Sequence, residues 1–204
     1  LETTQMAGLK STQLSGLTTT QLGGFTSTQL SGILATSLSG MSTTNLVAIT
    51  TTQLGGLTAT EVGVLTSTQA SGLTTTQIGA LTTTQVGGIK ATSLTGLTTT
   101  QLGTFDATQV GGLSTTAVST LTTTILSGLS TTQVGGLTTT QVGVITTTQV
   151  AAMTSTQLGV LTTTQVGGLT PALLHISTPT QSSCLSSTEL GALTTTQIAG
   201  LKST

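Results

Sequence analysis

Leu161-Thr162-Thr163-Thr164-Gln165-Val166-Gly167-Gly168 is the unit in which the whole chain is written. Set in rows of eight from Leu1, the sequence fills 25 rows with four residues over, and no insertion or deletion breaks the frame. Position one is Leu, Ile, Met or Phe in every row except the one starting at Ser177. Position six is Leu, Val, Ile or Met apart from Ala70 and Ser182, and position four is Thr in every row but that of Ala172. Position five is usually Gln. The charged residues fall in two columns: Glu2, Lys10, Lys90, Asp106 and Lys202 at position two, Glu61 and Glu189 at position five. A lone charge survives burial only with a partner, and these have none in register. Positions two and five are therefore expected to face water, and positions one and six to form the core.

A fixed frame of short units reads as a solenoid in which each unit packs on its neighbours. The octad carries the marks of one short helical turn. Position two is a Thr, Ser or Asp N-cap in most rows, and position five supplies the Gln or Glu of a capping box. Positions one and six then stand one residue before the cap and four after it, as the halves of a hydrophobic staple. Pro171 and Pro179 both sit at position three, the first helical residue, where Pro is tolerated. Gly at positions seven and eight suits a bend with a left-handed exit. The expectation is a solenoid of single-turn helices, one per octapeptide, joined by Gly bends. The alternative is a β-solenoid with two or three octads per coil, since Thr favours strands and Thr or Gln columns form ladders. The constancy of Thr at position four predicts burial between coils, so that Thr164→Val would destabilise.

Composition narrows the function. Aromatic residues are 1% and charged residues 3% of the chain, which argues against a conventional globular core. Low-complexity polar chains are often disordered, but an unbroken frame of two aliphatic residues per octad opposes that reading. A net charge of −1 with no Arg lacks the attraction that nucleic-acid binding needs. No apolar run approaches the roughly 20 residues of a transmembrane helix. The whole of 1–204 reads as one continuous octapeptide solenoid. It starts and stops in phase without a distinct capping unit, as a window of a longer array would, or a subunit whose open ends stack on neighbours. Val64, Val144 and Val160 replace the usual Gly at position eight and are read as packing variants, with contact points for another chain as the alternative.

Residues 169–184 are the one departure. Both prolines, Pro171 and Pro179, lie there with the only histidine, His175, and the only cysteine, Cys184. No acid stands near to orient the imidazole as a nucleophile–base pair requires, and one His with one Cys is too few ligands for a metal. No catalytic, cofactor-binding or metal site is expected. The segment is read as an irregular coil whose Pro171, His175, Pro179 and Cys184 form a contact with another chain.

The repeat Leu-Thr-Thr-Thr-Gln-Val-Gly-Gly resembles the octapeptide arrays of very long bacterial secreted or surface proteins with LTTxQ-type repeats. The resemblance spans nearly the whole chain and fails across 169–184. It implies an extracellular or cell-surface structural role as a filament, stalk or adhesin shaft, with copies of the chain as partners and no catalytic residues. The Thr columns give the alternative, a binding module for ice or carbohydrate.

Overall fold

The computed structural model describes residues 2–170 and 185–200. Among these the chain is entirely helical, with 23 short helices and no strand. Each described octad holds one helix of four to six residues. They run from α1 (Thr3–Met6), α2 (Ser11–Ser15) and α3 (Thr19–Gly23) through α21 (Thr163–Gly167), with α22 (Ser187–Gly191) and α23 (Thr195–Gly200) after the undescribed stretch. The β-solenoid alternative is thereby set aside.

The capping box explains how a sequence poor in helix formers makes so many helices. In row 21 the Thr162 Oγ1 accepts the Gln165 N–H at 3.2 Å, and Gln165 Oε1 accepts the Thr162 N–H at 2.8 Å. Two donors that a helix start leaves unpaired are satisfied by side chains three residues apart. Val166 N–H then donates to the Thr162 carbonyl and Leu169 N–H to the Val166 carbonyl, closing the turn. Rows whose position two cannot accept keep the helix with fewer bonds. Leu34 and Lys90 have no side-chain cap, and the reverse bond disappears with Ser37 and Ser93 in place of Gln.

The expected left-handed glycine exit is not present. Among the described residues no glycine has a positive φ, and Gly24 caps its helix at φ −78°, ψ −9°. The chain turns instead where position one leaves the helix for extended backbone, as Leu73 does at φ −64°, ψ 145°. Glycine is needed for space. Each helix packs on the helix three octads away, as α8 (Ala59–Gly63) does on α11 (Thr83–Gly88) and α14 (Ala107–Gly112) on α17 (Thr131–Gly135). Three octads therefore make one turn of the solenoid. A Cβ on Gly88 would lie 2.7 Å from the Ala59 carbonyl carbon and 2.9 Å from its Cα. Position eight of one layer thus meets the backbone at position three of the layer before.

Positions one and six form one continuous core. Position six lines the interior at 5% exposure or less from Met6 to Val166, and position one joins it in the same cluster, buried from Ile33 to Leu169. At Ala70 the short side chain leaves an apolar void of about 10 Å³, bordered by Leu65, Leu73, Ile89, Ser93 and Leu97. Ala70→Val fills this space. It is expected to raise stability by about 1 kcal/mol in chemical denaturation, and a loss would show the layers too rigid to take two methyl groups. Val144 packs against the core as a packing variant would, whereas Val160 stays 37% exposed.

Candidate functional site

The most elaborate polar feature is the column at position five. Gln85 is 2% exposed. Its Oε1 accepts the Thr82 N–H at 2.9 Å within its own octad. Its Nε2 donates to the Leu54 carbonyl at 2.8 Å and the Leu57 carbonyl at 2.7 Å, 31 and 28 residues earlier. One amide therefore caps its own helix and ties it to the layer before. The pattern recurs at Gln53, Gln69, Gln77, Gln133, Gln149 and Gln165, among others. Asn45 reaches the same carbonyls, Leu14 at 2.9 Å and Leu17 at 3.1 Å, but not back to its own cap. Ser93 keeps a single bond, its hydroxyl donating to the Leu65 carbonyl.

This overturns the expectation that position five faces water. From row 5 onward every described position-five side chain is buried, including Glu61 at 4% and Glu189 at 8% exposure. The acids do have partners, but within the backbone. Glu61 Oε2 accepts the Thr58 N–H at 2.5 Å and Glu189 Oε2 the Ser186 N–H at 2.5 Å. A carboxylate bonded to the first amides of a helix is well placed electrostatically. Reaching back to the cap also turns the side chain inward, toward the neighbouring layer. A glutamate has no amide to give that layer. Glu61→Gln supplies one opposite the Leu30 and Ile33 carbonyls, by the spacing of the other rows. It is expected to add about 1 kcal/mol to unfolding stability; no change would mean that the inter-layer half of the bond contributes little.

Positions two and four face water, and position seven does so in most described rows. Thr162 and Thr164 are exposed, and position four is exposed in every described row, against the expectation that it is buried between coils. In this geometry position three, not position four, meets the neighbouring layer, as Thr139 does beneath Gly168. Thr164→Val is accordingly expected to change stability by less than about 0.5 kcal/mol, a reversal that a melting curve checks. The result is a set of uncharged hydroxyl columns along the outside of the solenoid.

Pro171, His175, Pro179 and Cys184 lie outside the described residues. The layers on either side of them keep the common register. Helix α21 packs on α22, and Gln197 Nε2 donates to the Leu169 carbonyl at 2.7 Å, again 28 residues back. Among the described residues no three His, Cys, Asp or Glu side chains gather as metal ligands, and no helix is long and apolar enough to cross a membrane. A shallow open groove of about 380 Å³ runs past Gly88, Lys90, Thr92, Ser114 and Thr116. Lys90 is its single charged residue, and no acid or second base faces it.

No family model matches the chain, and no curated protein matches it.

Proposed function

We propose that the chain is a structural protein, a self-associating segment of an extracellular filament, stalk or adhesin shaft. The observation that carries this reading is the bonding of position five. Each layer is tied to the one before by the same side chain at the same two carbonyls, so length is added without altering the cross-section. Such quasi-one-dimensional stacking suits a spacer or shaft. The resemblance to bacterial surface arrays agrees with it, as does a surface of neutral hydroxyls.

Small-angle scattering on the chain and on a version lengthened by three octads tests the reading. A constant cross-section with an added length of roughly 8–10 Å, the spacing of packed helices, is expected. Scattering from an expanded coil, or a cross-section that grows with length, would remove the basis for a shaft. Surface labelling of producing cells tests the location. The exposed Thr columns favour a second reading, binding to ice or carbohydrate, which thermal hysteresis or a glycan array would reveal.

A further inference from the structure

We infer that the groove at the octad of Ala117 is a binding site for a primary carboxamide, and that its ligand is a glutamine side chain presented by another polypeptide. This goes beyond the shaft reading and stands on the bonding between layers alone.

Rows 11, 12 and 15 make the site, and row 18 shows what a complete row does. Gln141 accepts the Thr138 N–H at 2.7 Å and donates to the Leu113, Val110 and Gly111 carbonyls at 2.6, 3.0 and 3.2 Å. Row 15 has Ala117 at this position. Alanine lacks Cγ, Cδ and the amide, so the equivalent Ser114 N–H and the Ile89 and Gly87 carbonyls have no hydrogen-bond partner among the described residues. The frame around them is nonetheless kept. Ser114 Oγ accepts the Ala117 N–H at 3.1 Å, and Ser114 lies at φ −67°, ψ 151°, close to the −75° and 159° of Thr138. The three groups are therefore held before anything binds, which lowers the ordering cost of association. The groove of about 380 Å³ opens at this point, lined by Gly87, Gly88 and Ile89 of the earlier layer and by Ser114 and Thr116 of the later one. Row 16 is the contrast, because Ile125 replaces glutamine with a long apolar side chain that is buried at 6% exposure.

The set of donors and acceptors selects the ligand. One N–H beside two carbonyls matches a primary carboxamide, which has one accepting oxygen and two N–H donors. A carboxylate brings no donor, an ammonium no acceptor, and a hydroxyl only one donor. Lys90 is the single charge lining the groove and opposes a cationic carrier. The groove is larger than a carboxamide and reaches the size of a small-ligand site, so it has room for the backbone of the residue that carries the amide. The ligand thus makes between two chains the bond that glutamine makes within this one.

The test is an NMR titration of the 204-residue chain, isotope-labelled at serine nitrogen, with N-acetyl-glutamine N-methylamide, a copy of a glutamine residue within a chain. The Ser114 amide signal is identified by its loss in Ser114→Thr. It is expected to move downfield and to reach half-saturation at roughly 1 mM probe. The methionine counterpart of the probe should leave it in place. The glutamate counterpart, which accepts but does not donate, should bind about 10-fold more weakly or worse. Ala117→Gln gives the site an amide from its own row, so the Ser114 signal should stand downfield without probe and move no further when probe is added. Ile125→Gln restores the neighbouring position of the column and should leave binding as in the wild type. A Ser114 signal that the glutamine probe does not move overturns the inference. An equal response to the methionine probe, or a response that survives Ala117→Gln, overturns it as well. The shaft reading is decided separately by the scattering experiment, so the two can fail independently.

Discussion

Gly136→Val is expected to destabilise the solenoid by about 3 kcal/mol in urea or guanidinium unfolding. Gly136 lies at φ −78°, ψ −13°, a conformation open to any L-residue, so its backbone angles do not demand glycine. The obstacle is the layer before. A Cβ would stand 2.6 Å from the Ala107 Cα and 2.7 Å from its carbonyl carbon, against backbone that cannot rotate aside. The two helices would have to separate, loosening the core contacts on both sides. Rows 8, 18 and 20 already accept valine at this position as Val64, Val144 and Val160, so the expected outcome is local strain, not loss of the fold. Gly167→Ala is the matched control. It is an exposed helical glycine with nothing within 4 Å of the added Cβ, and alanine there is expected to stabilise by about 0.5–1 kcal/mol. Equal losses from both substitutions would show that glycine acts through chain flexibility and not through close packing.

Gln85→Ala is expected to cost about 3 kcal/mol. It removes the acceptor of the Thr82 N–H and the donor shared by the Leu54 and Leu57 carbonyls, and it empties a site that is 2% exposed. Leaving buried polar groups unpaired costs more than the bonds themselves contribute. The same change at Gln13 loses only the cap bond to Lys10, because that side chain is exposed and binds no earlier layer. It should cost about 1 kcal/mol or less. The difference between the two sites measures the inter-layer bond, and similar losses at both would reduce position five to a helix cap. Ala117 and Ile125 show that the array tolerates an isolated gap in the column, with an apolar side chain buried there in place of the amide.

The preference for amide over acid is the signal in the sequence that marks the polar column. Glutamate serves a capping box as well as glutamine does, yet it appears at position five only as Glu61 and Glu189. A site that only capped a helix in water would not discriminate so strongly between them. The selection for an amide signals a second partner that needs an N–H. Charge alone points the other way because Glu61 and Glu189 lack ionic partners in register, whereas the backbone donors at a helix start satisfy a carboxylate as well.

What lies within one octad was readable from residue order: the N-cap, the capping box, the staple of positions one and six, and the aliphatic core. Those interactions join residues no more than a few positions apart, so local spacing specifies them. How many octads complete a turn was settled only by packing. A sequence of near-identical units is consistent with neighbours two, three or four rows away, since its period carries no mark of which rows meet. Close backbone contact between rows three apart turned glycine from a bend residue into a spacer. The same contact carried the glutamine side chains out of water and onto carbonyls 28 and 31 residues back, and left the Thr of position four outside.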